Sequence, residues 1–331
     1  MSISVIKPGM QSSFQDLGRT GHQHIGMPVA GAMDARSHRL ANLLVGNDHD
    51  AASLEITLTG PTLKFNKACC IAICGADLSA MLNTEPLVLN RPLIIRPGDE
   101  ISFGARKSGT RCYLAVHGGF DIPLVLGSQS TFIRSGIGGF QGRALKRGDE
   151  IGLVRTLANK NLEALAMDLW AIRVYLPAPV AQAVRSTVRI ITSAQWFDFT
   201  EASRDAFVEE TFRISPESER MGYRLQGPHI SLSKPRQMIS EAATFGTIQV
   251  PAGGAPIILM ADRQTTGGYP RIGTVISADI ASLAQMPIGS SFGITWVSIE
   301  EAESLLLQQE SNLQQLENAC KFRLQEYFSE K

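Results

Sequence analysis

Short apolar runs alternate with turns rich in glycine and proline along most of the 331 residues. Between residues 68 and 154 the apolar runs are interrupted at Gly75, at residues 97–99 and at further turns of the same kind. Strands this short and this regularly spaced are typical of β-barrels and β-sandwiches. The pattern resumes with predicted strands at residues 174–176 and 188–192. We therefore predict a mainly β chain.

Two segments instead carry the signals of helices. Residues 34–46 (DARSHRLANLLVG) begin with Asp34, which can cap a helix, and end at a glycine. The C-terminal segment 298–328 begins with Ser298 followed by acidic residues, which suit the first turn of a helix. We predict that this long helix serves in packing or in an oligomer contact. Residues 155–168 are polar and predict a linker or a short helix.

One phrase recurs along the chain. It occurs as PGDEISFG at residues 97–104, as RGDEIGL at residues 147–153 and as PIGSSFG at residues 287–293. Each copy predicts a turn followed directly by a strand. The echo is too short to establish an internal duplication, but it fits two related β domains, and a chain of this length exceeds the usual size of one domain.

The stretch from residue 241 to residue 285 organises the candidate chemistry. Two apolar runs, residues 246–251 (GTIQVP) and 256–260 (PIILM), predict buried strands joined by a tight AGGA turn. The second run leads into the polar segment 261–271 (ADRQTTGGYPR), where paired glycines precede an aromatic residue. A polar loop held by rigid strands is where binding and catalytic groups usually lie. The alternative is a hairpin loop whose side chains bond its own backbone, but for the whole run we favour a site.

Three further segments combine glycines with charges. The first contains Asp16 and Arg19, the second (SGIGGFQGR) ends in Arg143, and the third (SPESERMGYRLQG) contains Arg220 and Arg224. Asp16 and Arg19 either form a structural ion pair or supply anion and donor groups to a site. Two neighbouring arginines can clamp a carboxylate or a phosphate; the alternative is a surface cluster of ion pairs.

Charge and cysteine content narrow the function classes. Lysine and arginine number 31, as do aspartate and glutamate, and only 19% of residues are charged, which argues against a broad nucleic-acid-binding surface. Cys69 and Cys70 are adjacent on a predicted strand and point to opposite faces, which favours buried free thiols in a reducing compartment. No apolar run approaches the roughly 18 residues of a membrane span. We predict a cytoplasmic protein that binds neither nucleic acid nor a membrane.

Motifs for several common chemistries are missing. His22 and His24 would share a face of a strand, but nothing nearby supplies a clear third ligand, so we predict no metal site. The chain contains no G-x-x-x-x-G-K-[ST] phosphate loop. It also lacks the Met-Lys-Met sequence at which biotin is attached. The residues alone therefore indicate a two-domain β protein with charged glycine-rich loops, and they do not give a reaction.

The segments FQDLGRTGHQHIGMPVAGAMD, SERMGYRL and ADRQTTGGYPRIGTVISAD resemble the biotin-dependent carboxyltransferase family, also called allophanate hydrolase subunit 2 or the C subunit of 5-oxoprolinase. The resemblance runs from about residue 7 to about residue 302. It implies two cyclophilin-like β-barrel domains, which we place at residues 1–155 and 170–300, followed by a C-terminal helix at residues 301–331. One departure is Glu219, where the family usually has an aspartate, so the carboxylate reaches one methylene further.

The resemblance implies a component of an ATP-dependent 5-oxoprolinase complex, which opens 5-oxoproline to glutamate together with 5-oxoprolinase subunits A and B. ATP is then used by the complex, and the chain is expected to be inactive alone. The alternative is a carboxyltransferase that acts on urea or allophanate with carboxybiotin from a biotin-carrying partner. A second alternative is a regulatory partner of a kinase-inhibitor-like subunit. A chain of this length, without an attached biotin carboxylase or carrier, favours the first function; a homo-oligomer is a further expectation.

The implied reactions require that a small amide or lactam be held and that negative charge on oxygen be stabilised. A carboxylate or a tyrosine can move the proton. The predicted catalytic residues are Asp262, Tyr269 and Arg271. The predicted substrate-binding residues are Asp16, Arg19, Arg143, Arg220, Arg224, Gln264 and Thr265. Because loops that fold against a ligand need glycines beside their charges, we expect Arg19 or Arg143 to share a cleft with Asp262 or Tyr269.

Overall fold

The computed structural model describes residues 2–158, 161–172, 176, 185–236 and 238–328. Residues 174 and 175 of the strand predicted at 174–176 lie outside the described residues. The chain forms two compact units. Unit 1 consists of Met1–Arg19, Asp34–Ala181 and Ser311–Lys331, and unit 2 consists of Thr20–Met33 and Gln182–Glu310. The domain boundaries at residues 155 and 170 stay a prediction.

Unit 1 is built from two antiparallel sheets. Its strands are β1 (Ser2–Lys7), β2 (Gln11–Gln15), β3 (Ser53–Thr57), β4 (Thr62–Phe65), β5 (Cys69–Asp77), β6 (Ala80–Leu82), β7 (Glu85–Pro86), β8 (Leu93–Ile95), β9 (Glu100–Phe103), β10 (Ser108–Val116) and β11 (Glu150–Gly152). Within the described residues, one sheet has the order β11-β1-β4-β9-β6-β7 and the other the order β2-β3-β10-β5-β8.

The second sheet of unit 1 has an apolar face and a polar face, because side chains alternate along each strand. Leu54 on β3 and Leu114 on β10 belong to the hydrophobic core of the unit. Glu55 and Tyr113 are paired across the same two strands and point to the opposite face, where both are buried. The Tyr113 hydroxyl donates to Glu55 Oε2 over 2.7 Å. The polar face is therefore internally hydrogen-bonded.

Two helices lie wholly within unit 1. Helix α1 (Ala35–Leu44) begins after Asp34, whose Oδ1 accepts from the Ser37 backbone N–H over 2.9 Å, so the predicted cap is confirmed. It packs against β5 and β10, and the rings of His38 and Tyr113 meet edge to face. Helix α2 (Leu162–Ala171) occupies the last part of the segment predicted as a linker or short helix and continues beyond it.

Unit 2 is a closed barrel. Its strands are β12 (Thr187–Thr192), β13 (Thr211–Ile214), β14 (Gly222–Gln226), β15 (Glu241–Ala242), β16 (Thr247–Gln249), β17 (Ile257–Leu259), β18 (Thr266–Gly267), β19 (Arg271–Val275) and β20 (Ser291–Trp296). The barrel has the order β12-β19-β16-β17-β14-β13-β20, and β12 and β20 close it as a parallel pair. The short strands β15 and β18 pair only with each other. The predicted strands at residues 246–251 and 256–260 are confirmed as β16 and β17.

The barrel interior is apolar, and two helices accompany it. Ile190, Ile248, Ile258, Ile272 and Phe292 are buried in one hydrophobic cluster. The helices are α3 (Glu201–Glu209) and α4 (Ser277–Ala284). His22 and His24 do not lie on a strand, so the condition under which they would share a face is not met. His24 lies in a 3-10 helix, Gln23–Ile25, because Gly21 and Gly26 on either side adopt left-handed backbone angles that an extended strand does not accommodate.

The recurring phrase has the same structure at all three positions. Gly98, Gly148 and Gly289 have φ angles of 94°, 88° and 86°, and each lies two residues before a strand begins. A side chain at such a φ is strained, which explains why glycine occupies this point in each turn. The predicted turn followed by a strand is confirmed in all three copies.

The long C-terminal helix is also confirmed. Helix α5 (Ile299–Phe328) begins after Ser298, whose Oγ accepts from the Glu301 backbone N–H over 3.1 Å. In unit 1, Phe328 of this helix stacks on His117 with ring centroids 3.9 Å apart. Among the helices of the described ranges, none is both long enough and apolar enough to cross a membrane. The prediction of a mainly β fold with β-barrel architecture and a C-terminal helix is confirmed.

Candidate functional site

Asp262 and Arg220 form a buried bidentate ion pair in unit 2. Arg220 Nε donates to Asp262 Oδ2 and Arg220 Nη2 to Asp262 Oδ1, both over 2.9 Å. Only 6% of the Arg220 side chain and 7% of the Asp262 side chain are exposed, so water does not screen the pair. Arg220 Nη2 also donates to the carbonyl oxygen of Gly31 over 2.6 Å.

The barrel places these two side chains opposite each other. The antiparallel pairing of β14 with β17 continues past the strand ends, where the Met260 N–H donates to Met221 O and the Asp262 N–H donates to Arg220 O. Two of the predicted site segments, 215–227 and 261–271, are therefore joined at one point. The Gly31 contact adds the loop at residues 26–33 to the same point.

This geometry gives Asp262 an anchoring role within unit 2. Both of its oxygens accept from one guanidinium, which is the geometry of the strong Arg–carboxylate pair. A carboxylate held in this way has both oxygens engaged by the chain itself. The pair therefore fixes the start of the 261–271 segment, and catalysis by Asp262 stays a prediction.

Arg271 lies at the other end of the same segment, on the outer face of the barrel. Its backbone N–H donates to Gln195 Oε1 over 2.7 Å. Its Nη2 atom lies 3.2 Å from Glu241 Oε2, within ion-pair distance, yet this buried nitrogen has no hydrogen-bond partner among the described residues. The Glu241 side chain is 56% exposed and the Arg271 side chain 21% exposed.

Gln249 is the cross-strand neighbour of Arg271. The two residues are direct partners in the pairing of β16 with β19, so their side chains leave the sheet on the same face. The register of this pair shifts between Ile248 and Gln249, and such bulges re-aim side chains next to active sites. Gln249 is only 1% exposed, and its amide nitrogen has no hydrogen-bond partner in the described part of the chain.

The residues between the two ends of the segment are more exposed. Tyr269 is 49% exposed and Gln264 is exposed as well. Thr265 is partly buried, and its carbonyl oxygen accepts from the Ala243 N–H over 2.8 Å. Gly267 lies so close to Gln249 that an added Cβ would be 2.2 Å from the amide nitrogen. The middle of the segment thus leaves Tyr269 accessible while it covers Gln249.

The second arginine of the 215–227 segment is not part of this point. Arg224 is exposed on β14, and its Nε lies 4.0 Å from Glu217 in an ion pair with both side chains mostly in solvent. Such a pair contributes little to stability. Glu219, which departs from the family pattern, is also exposed. Of the two arginines predicted to clamp an anion, Arg220 clamps Asp262 of the chain itself, and binding by Arg224 stays a prediction.

Asp16 and Arg19 lie in unit 1, where Asp16 is a structural anchor. Its oxygens accept from the Gly18 N–H over 2.7 Å, the Ser128 hydroxyl over 2.8 Å and the Gln129 N–H over 2.5 Å, and also from the Ser130 hydroxyl. Arg19, which is 1% exposed, donates through Nη2 to the Ser130 carbonyl oxygen. Both residues hold the loop at residues 128–130, so they are brought together without pairing with each other in these contacts.

Arg143 is bound by a turn of its own unit. Its Nη1 and Nη2 atoms donate to the two Asp149 oxygens over 2.7 and 2.8 Å. The hydrogen bond from Arg143 holds the pKa of Asp149 below its usual value. Arg19 and Arg143 belong to unit 1, while Asp262 and Tyr269 belong to unit 2. The expected shared cleft stays a prediction.

Two polar residues escaped the sequence analysis. Gln249 follows Ile248 in the buried strand that the sequence predicts at residues 246–251, where it was given no role. His38 is fully buried on α1, where its Nδ1 lies 2.7 Å from Ser53 Oγ and burial lowers its pKa to about 4. The only sequence signal for either was a polar residue in an apolar context. No group of three or more His, Cys, Asp or Glu side chains that could hold a metal ion occurs among the described residues.

Comparison with known proteins identifies the family. The model of the carboxyltransferase domain, subdomain A and B, matches residues 25–296. The chain is 38% identical to the C subunit of 5-oxoprolinase from Escherichia coli (strain K12) over 316 residues, which cover 95% of this chain and 97% of the relative. The corresponding protein of Haemophilus influenzae is 36% identical, again with 95% and 97% covered.

A solved structure is also similar over most of the chain. The urea carboxylase of K. lactis superposes with a TM-score of 0.82 at 30% sequence identity, and the match covers 95% of this chain and 29% of that one. The sequence and the fold agree with the resemblance drawn from the glycine-rich segments. The chain therefore belongs to the family of the carboxyltransferase domain, subdomain A and B.

Proposed function

We propose that this protein is the C subunit of an ATP-dependent 5-oxoprolinase complex, which opens 5-oxoproline to glutamate with subunits A and B. The observation that carries the proposal is the match to two proteins named as this component of 5-oxoprolinase, which spans 97% of the length of each. These relatives are about as long as this chain, whereas the chain corresponds to 29% of the K. lactis urea carboxylase. Membership of a multi-subunit enzyme is the simplest account of a chain that matches such relatives end to end.

The outer face of the unit 2 barrel supports binding of a small substrate that carries oxygen acceptors. Arg271 and Gln249 present buried N–H groups without hydrogen-bond partners among the described residues, and such donors suit a substrate oxygen, a charged one above all. Tyr269, half exposed in the same segment, is the residue that we assign to proton movement. The Arg220–Asp262 pair holds the segment in place. ATP is used by the complex, and no phosphate loop in this chain binds it.

Reconstitution tests the proposal. Release of glutamate and ADP from 5-oxoproline and ATP is measured for the chain alone, for subunits A and B without it, and for the complete set. Turnover is expected only with all three, and Arg271→Met should reduce it at least tenfold, since a lost charge-assisted hydrogen bond costs about 1.5–3 kcal/mol. Arg224→Met is the matched control for folding, because it removes a charge from the exposed face of β14. Only the melting temperature of this control, and not its turnover, is compared with that of Arg271→Met. Turnover by the purified chain, or by its two partners without it, contradicts the proposed function.

A carboxyltransferase function is the second candidate, because the fold matches K. lactis urea carboxylase over 95% of this chain. In that case a biotin-carrying partner supplies carboxybiotin, and Gln249 and Arg271 bind a carbonyl or carboxylate oxygen. The same preparations are incubated with urea and a carboxylated carrier domain. Loss of carboxylate from the carrier that depends on urea and on this chain supports the second candidate over the first.

A further inference from the structure

We propose that Gln249 and Arg271 form a binding subsite for the carboxylate of the substrate, and that Glu241 competes with this carboxylate for Arg271. The inference deepens the proposed function and rests on it for the identity of the substrate, because 5-oxoproline carries a carboxylate beside its lactam. All residues of the subsite belong to unit 2.

Two buried hydrogen-bond donors of this face are unsatisfied within the ranges that the structure describes. Gln249 Nε2 and Arg271 Nη2 are both buried nitrogens without a hydrogen-bond partner among the described residues. A buried polar group that is left unpaired costs about 1–3 kcal/mol, and most buried groups in folded proteins are therefore paired. Two such nitrogens on directly paired positions of neighbouring strands indicate a hydrogen-bond acceptor that the described part of the chain does not supply.

The charge and shape of the acceptor follow from the donors. Arg271 provides a positive charge and Gln249 a neutral N–H, both on the outer face of the barrel. A planar carboxylate has two oxygens that can accept from two such donors at once. A neutral carbonyl would satisfy the amide of Gln249 but would bring no negative charge to Arg271, whose ion-pair partner Glu241 is 56% exposed. The pair of donors therefore fits a carboxylate better than an uncharged amide.

Glu241 already places a carboxylate near this position. Its Oε2 atom lies 3.2 Å from Arg271 Nη2, but the contact lacks hydrogen-bond geometry, and the side chain is 56% exposed. Glu241 belongs to β15, which pairs with β18 through two residues only, Glu241 with Gly267 and Ala242 with Thr266. A two-stranded ladder of this length has little stability of its own. We infer that a ligand carboxylate displaces Glu241 from Arg271 and gains the donors of Gln249 as well.

Gly267 is the residue of the ladder that covers Gln249. An added Cβ would lie 2.2 Å from the Gln249 amide nitrogen and 3.2 Å from the Gln249 Cδ atom, with no flexible neighbour to take up the overlap except Gln249 itself. A side chain at position 267 would therefore overlap the amide group that the subsite uses.

Binding to the full chain alone tests the subsite, without ATP or partner subunits. Calorimetry or ligand-observed NMR compares 5-oxoproline with 2-pyrrolidinone, which has the lactam but no carboxylate, and with cyclopentanecarboxylate, which has the carboxylate but no lactam. We expect 2-pyrrolidinone to bind at least tenfold more weakly than 5-oxoproline, and cyclopentanecarboxylate to retain measurable affinity. Equal affinity for 2-pyrrolidinone and 5-oxoproline, or no binding of either carboxylate up to millimolar concentration, overturns the proposal.

Three variants separate the subsite from general damage. Gln249→Met keeps the length of the side chain and removes the donor, so the affinity for 5-oxoproline should fall about tenfold. In Gln249→Glu the new carboxylate can pair with Arg271, so the variant should keep the fold. Because this carboxylate occupies Arg271 and repels an anion, the variant should not bind a ligand carboxylate. Glu241→Gln should instead tighten binding several-fold, because it removes a competing charge at 3.2 Å. Gln226→Met, the same chemical change at an exposed position of β14, is the matched control.

These outcomes are distinct from failure of the proposed function. If the complete complex turns over 5-oxoproline while Gln249→Met and Gln249→Glu bind it as the parent chain does, the subsite is wrong and the function stands. If the carboxylate binds as described while the complete complex never turns over 5-oxoproline, the function is wrong and the subsite stands. Weaker binding by Glu241→Gln contradicts the competition.

Discussion

Asp262→Asn should destabilise unit 2 strongly, because it removes the countercharge of a buried guanidinium. In the folded protein both Asp262 oxygens accept from Arg220 over 2.9 Å, and both side chains are less than a tenth exposed. Asparagine keeps one acceptor oxygen but turns an N–H₂ group toward a guanidinium that can only donate. The Gly31 carbonyl oxygen still accepts from Arg220, but it carries no charge that could replace the lost carboxylate.

The size of the expected loss of stability follows from the charge of Arg220 that stays buried in the folded variant. Removal of one partner of a buried ion pair costs about 3–5 kcal/mol, since the other charge is left uncompensated. This is a large part of the roughly 5–15 kcal/mol that stabilises a typical domain. The double variant Arg220→Met, Asp262→Leu has neither charge of the pair left, and such apolar replacements are often neutral or stabilising. We therefore expect the double variant to recover most of the stability that Asp262→Asn loses.

Tryptophan fluorescence can follow unit 2 in urea. Trp196 and Trp296 lie in unit 2 and Trp170 in unit 1, so a Trp170→Phe background reports unit 2 alone. The control is Asp205→Asn, which makes the same chemical change at an exposed position of α3 and should shift stability by less than about 0.5 kcal/mol. A loss below about 1 kcal/mol for Asp262→Asn, or a double variant less stable than the single one, refutes the reasoning.

Three further changes test other parts of the structure. Burial lowers the pKa of His38 from 6.5 to about 4, so this histidine takes up its proton in the unfolded chain before it does so in the folded one as the pH falls. The free energy of unfolding should therefore drop by about 3 kcal/mol between pH 6.5 and pH 4. Urea unfolding of His38→Asn should show a weaker dependence of this free energy on pH. The pKa of Asp149 is held low by Arg143, so the ion pair stabilises the fold at pH values above the pKa of the unfolded state. This stabilisation is lost as the pH falls and Asp149 is protonated. In Arg143→Met the melting temperature should therefore fall less steeply with decreasing pH. Gly267→Ala should displace the Gln249 amide, because its Cβ would lie 2.2 Å from the amide nitrogen, at a cost of about 1 kcal/mol; a crystal structure of the variant with Gln249 unmoved contradicts the close approach.

Features that depend on neighbouring residues could be predicted from the sequence. The caps of α1 and α5 are set by Asp34 and Ser298, each of which accepts from a backbone N–H three residues later. The turn glycines before β9 and β11 follow the same logic, since a left-handed φ is a local demand. The family and the β-barrel architecture were predicted from the resemblance of the glycine-rich segments to a known family.

The partners of charged residues could not be predicted, because they are distant along the chain. Asp262 was expected to act on a substrate, yet its partner Arg220 lies 42 residues earlier and meets it through the β14–β17 pairing. Asp16 binds a loop more than 110 residues away. Glycines mark where backbone comes close, but they do not say whether a ligand or another loop fills the space.

The hydrogen bonds of the charged loops distinguish anchors from binding groups. Asp16 accepts from four donors of the chain, Arg143 gives two bonds to Asp149, and Arg220 gives two to Asp262. Side chains engaged in this way hold loops and have little capacity left for a ligand.

Arg271 and Gln249 show the opposite condition, because each keeps a buried nitrogen without a partner among the described residues. An evolved core removes such a cost unless something offsets it, and binding energy can do so. The residues with the densest contacts are thus the scaffold of this fold. Its substrate should be sought where the contacts of the chain are incomplete, on the outer face of β16 and β19.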